Sequence, residues 1–282
     1  GVDRIVGTEA SLHPWNQHRA FKNEAHSATP EQVREVRANY AGMISYLDTL
    51  IGRVIDAARS LPGETVVVYT SDHGDLVGDH RLFGKCSFYA SSIKVPLVVA
   101  PLTEGAVQPA SPGTRVPFPV SLLDIAPTLC ELGDSPRLPL EDGDSLVPHV
   151  ADGGQVDEAR WRGRAIFSEL ELLRLPPARM VVKNGFKLVY YHTHEGMELF
   201  DLAADPGEEN NLAGDARHTG TLEELLGELR KNWDGDAVYR DVLRKMDDLD
   251  FMTRWGRDIG MGPLDLWDQE KLGKAESEVG KS

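Results

Sequence analysis

Two cysteines in 282 residues are too few for a disulfide framework. Cys86 and Cys130 form no Cys-x-x-Cys pair, and no His-rich zinc spacing accompanies them. Long hydrophobic runs are also missing. No stretch of about eighteen apolar residues occurs, so the sequence offers no candidate for a membrane-crossing helix. Positive charge is scarce: 30 Lys and Arg stand against 45 Asp and Glu, a net charge of −15. A nucleic-acid surface needs a surplus of Lys and Arg, so that class of partner is argued against. The acidic balance reads as a solvated surface, although acids gathered near a site are also able to hold a hard cation. The opening GVDRIVGTEASLHPW shows no signal-peptide pattern, and no internal repeat or low-complexity tract follows.

What is present is 41% hydrophobic residues, enough to bury a core. Residues 1–28 are polar and irregular. TPEQVREVRANYAGMISYLDTLIGRVIDAARSLPG then reads as a long helix. Thr29 is its N-cap, Pro30 its first residue, and Gln32 closes a capping box. Tyr40, Met43, Ile44, Leu47, Ile51, Val54 and Ile55 recur at helical spacing and form one apolar face. Residues 65–70 and 95–100 are continuous apolar runs of the kind found in parallel strands buried on both faces. Residues 121–132 read as helical, with Ser121 and Asp124 as a capping pair and Pro127 as a kink or the true start.

After about residue 155 the pattern changes to short alternating strands. Asn184-Gly185 predicts a type I′ hairpin, and a helix over 221–233, capped by Thr221 and Glu224, covers one face of the sheet. The organisation expected is therefore part of an α/β domain over 1–155, an antiparallel α+β subdomain over 156–246, and an acidic tail or arm over 247–282. Two parallel strands leave both edges open and too little sheet to cover the helices. The first region reads as the C-terminal half of a larger parallel-sheet domain. Its exposed faces would invite association, with a homo-oligomer as one outcome.

The chemistry concentrates in TVVVYTSDHGDLVGDHRLFGK, residues 65–85. Ligands of open α/β sheets bind beyond the carboxyl ends of strands, where Asp72 and His73 stand. A carboxylate and an imidazole at adjacent positions reach one metal if the backbone turns sharply, which Gly74 permits. Lys85 offers a point charge for an anion, and His80 a proton or hydrogen-bond donor. Asp75 and Asp79 read as solvated turn residues. As an isolated string, Asp-His-Gly after a strand is more often a turn than a metal site.

TSDHGDLVGDHRLFGK followed by SSIKVPLVVAP resembles the sulfatase family of the alkaline-phosphatase superfamily. YAGMISYLDTLIGRVIDA, VSLLDIAPTLCELG, EDGDSLVPHV, RMVVKNGFKLVYY and MELFDLAADPGEENNLA resemble further segments of that family in unbroken order. The resemblance implies an alkaline-phosphatase-like α/β fold and hydrolysis of small-molecule sulfate esters. It makes Asp72 and His73 ligands of a divalent cation, calcium first, with manganese, zinc or magnesium as alternatives. It places Lys85 on the sulfate or leaving-group oxygen.

The departures matter equally. The family's nucleophile motif, Cys-x-Pro-x-Arg or its variants, is absent: Cys86 opens CSFYA and Cys130 opens CELGD. The family's Asp-Asp metal pair is absent too. Both are expected on an N-terminal segment of the same enzyme that this sequence does not contain, so the chain by itself is expected to be inactive. A phosphonate monoester or phosphodiester hydrolase of the same superfamily is the alternative reading, and a non-catalytic metal-binding module a third. Cys86 reads as a small buried hydrophobe. His192 and His194 read as strand-end loop residues rather than substrate contacts. The same choice stands for His13 and His18.

Overall fold

The computed structural model describes residues 12–16, 27–103, 107, 113–139, 142–172 and 175–260. Helix α1, Pro30–Ala58, starts as its sequence requires. The Thr29 hydroxyl accepts from the Gln32 N–H, and the Gln32 side chain accepts from the Thr29 N–H at 2.8 Å. Its apolar face is not covered by the described residues. Val33 alone in α1 is buried, while Met43, Ile44, Tyr46 and Val54 are 54–68% exposed.

Strand β1, Val66–Thr70, pairs with β2, Leu97–Pro101, and no other described strand joins them. The pair is antiparallel, with Thr70 opposite Leu97, which corrects the parallel pairing expected for these two runs. The reason lies in the connection. A parallel pair needs a crossover that carries the chain back along the strand. Here residues 71–96 leave and re-enter the sheet at the same end. Their only regular pieces are a 3₁₀ turn, Asp79–Arg81, and the single-turn helix α2, Ala90–Ile93. Both strands are half-buried, with Val98 51% exposed.

A 3₁₀ turn, Leu122–Asp124, leads into α3, Ile125–Leu132. Ser121 and Asp124 form the expected capping box on the 3₁₀ turn, and Pro127 falls in the first turn of α3, where its missing N–H is harmless. Asp124 is fully buried and takes a bidentate pair of bonds from Arg164, at 2.6 and 2.8 Å. Short helices α4, Val147–Val150, and α5, Glu158–Arg162, complete this part.

The second region is a four-stranded antiparallel sheet in the order β3-β4-β5-β6: Ile166–Leu170, Ala178–Lys183, Phe186–Tyr191 and Met197–Asp201. Asn184 and Gly185 join β4 to β5 with φ of 53° and 81°, the two positive angles a type I′ turn demands. Strand alternation splits the sheet into two buried faces. Val181, Leu188 and Leu199 meet Leu225 and Leu229 of α6, Thr219–Arg230. Ala178, Met180, Val189 and Tyr191 meet Trp15 and Phe88 of the first region. The sheet is thus clamped between its own helix and the α/β part.

Two readings of this region change. Helix α6 begins at Thr219 rather than Thr221, because the 3₁₀ turn Ala216–His218 runs straight into it and Asp215 caps that turn. Residue 247 lies inside α7, Gly235–Asp258, capped by Asp234, so the start of the stretch read as a tail or arm is helical to Asp258. Trp255 is 47% exposed on it; Trp267 lies outside the described residues.

Candidate active site

Strand β1 ends at Thr70, and the next three residues turn back on themselves. Ser71 Oγ donates to the His73 carbonyl at 2.9 Å, and the His73 N–H donates to Asp72 Oδ1 at 2.9 Å. That second bond holds the Asp72 carboxyl below its usual range. Gly74 permits the close approach that follows. Its N–H donates to the Ser92 carbonyl at 2.7 Å, and a Cβ there would stand 2.1 Å from the Ser91 carbonyl oxygen.

The His73 ring is oriented by the same residue. Nδ1–H donates to the Gly74 carbonyl at 2.9 Å, which leaves the lone pair on Nε2. Lys85 Nζ donates to that Nε2 at 2.6 Å, and Asp72 Oδ2 lies 3.3 Å from it. Asp72, His73 and Lys85 therefore converge on one spot at the end of β1. Asp72 is 82% exposed there and His73 38%. A histidine that donates one ring N–H to a backbone carbonyl and presents the other nitrogen is arranged as metal ligands are. The donor set, one carboxylate and one such imidazole, fits a divalent cation but does not complete its coordination. Among the described residues no group of three or more His, Cys, Asp or Glu is arranged to hold a metal ion.

Backbone geometry marks the same segment. Val77, His80, Arg81 and Cys86 all have positive φ, 39–69°, within ten residues. Such angles in residues other than glycine persist only where surrounding contacts fix them. Cys86 is half-buried rather than packed away as a small hydrophobe.

His80 does not join the cluster. It is 3% exposed, its ring stacks on Tyr89 at 3.7 Å, and burial lowers its pKa against the opposing pull of Glu208 and Asp79. Buried in this way, with a backbone hydrogen bond to Gly207, the ring is not brought to the cluster at the strand end, so the structure gives the sequence-based role for His80 no support. Asp79 is no solvated turn residue either. It accepts from Arg37 at 2.6 Å and from Ser91 Oγ at 2.6 Å, tying the segment to α1 and α2. Asp75 does serve its turn, accepting from the Val77 and Gly84 N–H groups.

His13 is buried and stacked on Tyr191 at 4.0 Å. Its Nδ1 accepts from the Trp15 N–H and its Nε2 donates to the Glu195 carbonyl, so neither nitrogen is left for a substrate. His192 and His194 sit in the turn after β5, with His192 Nε2 3.1 Å from Asp236. His18 lies outside the described residues.

Sequence reasoning missed a buried polar network behind the site. Glu198 accepts from the hydroxyls of Tyr89 (3.0 Å) and Tyr191 (2.5 Å). Burial raises the pKa of Glu198 and lowers that of Lys187, which pairs with Glu208. The available signal was Lys187 and Glu198 on the sheet face otherwise formed by Met180, Val189 and Tyr191.

The Sulfatase family profile matches residues 8–135, and that of the N-sulphoglucosamine sulphohydrolase C-terminal domain matches residues 78–234. The chain belongs to the sulfatase family. It is 32% identical to arylsulfatase K of Gallus gallus over 217 residues, covering 72% of this chain and 38% of that protein. It is 32% identical to choline-sulfatase of Rhizobium meliloti (strain 1021) over 257 residues, covering 88% of this chain and 46% of that one. The crystal structure of the phosphonate monoester hydrolase of Agrobacterium radiobacter superposes with a TM-score of 0.61 and 31% identity, over 71% of this chain and 42% of that structure. This sulfatase-family chain thus spans less than half the length of the curated relatives it matches. Its fold is a mixed α/β one of the sulfatase and alkaline-phosphatase type.

Proposed function

We propose that this chain supplies the strand-end half of the active centre of a sulfate-ester hydrolase. The observation that supports this most directly is the convergence of Asp72, His73 and Lys85, with Lys85 Nζ 2.6 Å from His73 Nε2. Asp72 and His73 Nε2 would hold a divalent cation, calcium by family likeness, with manganese, zinc or magnesium as alternatives. Such a cation, when bound, neutralises the charged oxygens of the transferred group.

Lys85 is the group that meets the substrate. One of the three donors of its ammonium is held here by the single lone pair of His73 Nε2, and a cation bound at that lone pair would release it. The freed ammonium would direct its positive charge toward the sulfate or leaving-group oxygen, where charge grows as the ester bond breaks. The nucleophile, formylglycine by family likeness, and the remaining cation ligands come from a segment that this sequence does not contain. That segment would also cover the exposed face of α1 and extend the β1–β2 pair; a second copy of the chain is the rival occupant. On this reading the chain alone has no turnover.

Phosphonate monoester hydrolysis is the second reading, favoured by the superposition on the Agrobacterium enzyme. The test is turnover of an aryl sulfate and of a phenyl phosphonate monoester by the full-length enzyme, with calcium and with manganese. Sulfate-ester turnover that exceeds phosphonate turnover and disappears in Asp72→Asn supports the first reading. Preference for the phosphonate supports the second. Turnover of the sulfate ester by residues 1–282 alone would overturn the shared-centre argument.

A further inference from the structure

The ring of His73 hangs on the backbone of Gly74, and the backbone of Gly74 hangs on α2. The Gly74 N–H bonds the Ser92 carbonyl at 2.7 Å, and no side chain larger than hydrogen fits between Gly74 and Ser91. What holds α2 is less obvious. Four residues do not make a self-sufficient helix. Its N-cap, Tyr89, gives no side-chain cap. Its first N–H, that of Ala90, donates instead to Glu208 Oε2 at 2.7 Å, from a residue 118 positions away in the second region.

Glu208 is itself unusual. It sits in the turn after β6, where the Asp205 carbonyl accepts from its N–H at 3.0 Å, yet it is 4% exposed between the half-buried Gly207 and the exposed Glu209. Its φ is +56°. Its carboxylate pairs with Lys187 of β5, which is 1% exposed and also donates to the Phe88 carbonyl, two residues before α2. A buried, left-handed glutamate with a buried lysine partner is an expensive way to finish a surface turn. Its reach to Ala90 accounts for it.

We propose that Glu208 is a positioning residue for His73, acting through one continuous relay. The Glu208 carboxylate fixes the Ala90 N–H, α2 carries the Ser92 carbonyl, that carbonyl fixes the Gly74 N–H, and the Gly74 carbonyl fixes His73 Nδ1. The antiparallel subdomain thereby sets the direction in which Nε2 points. That Nε2 meets a cation rests on the reading above; the relay itself does not.

The test is made in the full-length enzyme with two double variants that differ only at the Ala90 acceptor. Lys187→Met/Glu208→Gln removes the buried charges and keeps a carbonyl oxygen for Ala90. Lys187→Met/Glu208→Leu removes the acceptor as well. Replacing a buried ion pair with groups of similar volume is commonly tolerated. Glu208→Asp, which retains charge but draws the carboxylate back by one methylene, gives the same reading if the Leu variant fails to fold.

Two quantities are read: hydrogen exchange at the Gly74 amide without metal, and calcium affinity by titration calorimetry. In the Leu variant, Gly74 exchange should quicken at least about tenfold and calcium affinity fall by about tenfold or more, the range known for lost support of metal ligands. The Gln variant should match wild type in both. Equal Gly74 exchange in the two variants overturns the relay. Calcium binding that survives Asp72→Asn overturns the cation reading instead, and Gly74 exchange then decides the relay by itself.

Discussion

Gly74→Ala is the sharpest single perturbation of this site. The added Cβ would lie 2.1 Å from the Ser91 carbonyl oxygen and 3.1 Å from its carbon, and these are backbone atoms that cannot rotate away. Real Cβ contacts are essentially never shorter than 3.0 Å, so Gly74 and α2 must separate by about 1 Å. That separation breaks the 2.7 Å bond from Gly74 N–H to Ser92 and carries the Gly74 carbonyl, hence the His73 ring, out of place. Overpacking of this kind typically costs about 1–3 kcal/mol of stability. A misplacement of about 1 Å near reacting groups lowers rate by about 10²-fold. Aryl-sulfate kcat/KM of the full-length enzyme with calcium should therefore fall about a hundredfold while the protein remains folded. Gly227→Ala serves as control, since α6 leaves open space around that position. Kinetics within threefold of wild type for Gly74→Ala would refute the claim that this contact places His73.

Lys85→Ala should lower turnover about 10²–10³-fold with the fold unchanged, and unchanged turnover on every sulfate ester would remove Lys85 from the chemistry. Arg164→Met strands the fully buried Asp124 carboxylate, which keeps only the Ser121 and Asp144 N–H bonds at 2.8 and 2.9 Å. A broken buried pair costs about 3–5 kcal/mol, and two surviving donors reduce that to about 2–4 kcal/mol in urea unfolding, with Asp124→Asn/Arg164→Met recovering part of it; a loss below about 1 kcal/mol would contradict this. His80 has a folded-state pKa depressed by burial below 6.5, with Glu208, Asp79 and Lys187 as the charges that face it. The stability it contributes is complete above the unfolded value and is lost as pH falls through the folded one. Thermal stability should decline on acidification below about pH 6.5, and His80→Phe, which keeps the stack on Tyr89, should flatten that decline; an identical slope would assign the decline to other groups.

The elements that were legible in the sequence are those whose signal is local. The Thr29 capping box, the Asn184-Gly185 hairpin and the strands around it depend on neighbours within a few residues, and each stands where it was expected. Asp72, His73 and Lys85 lie together at one strand end, although thirteen positions of chain separate the first from the last. The pairing direction of β1 and β2 was not legible, because continuous apolar runs carry no sign of direction. His80 was misread for a related reason. Its place in the segment after β1 offered a donor for the strand end, while the ring that packs on it, Tyr89, arrives only when residues 71–96 fold back.

Residues 71–96 show most clearly what a local reading omits. The segment has four positive-φ residues that are not glycine, one 3₁₀ turn and one helical turn, and no propensity that would choose this shape over another. Its conformation is imposed from two directions. Arg37 of α1 grips the Val77 carbonyl and the Asp79 carboxylate, at 3.0 and 2.6 Å. Glu208 of the second region grips Ala90, and Ser91 binds Asp79, which joins the two grips to one another. A segment held only by its own turns would be free to follow a ligand. One held at both flanks by charged groups from separate elements keeps its ligands in a fixed direction, which a site that stabilises charge at one place requires. The antiparallel subdomain is on this account part of the active centre's geometry, although neither Glu208 nor Lys187 reaches the strand end where Asp72, His73 and Lys85 meet.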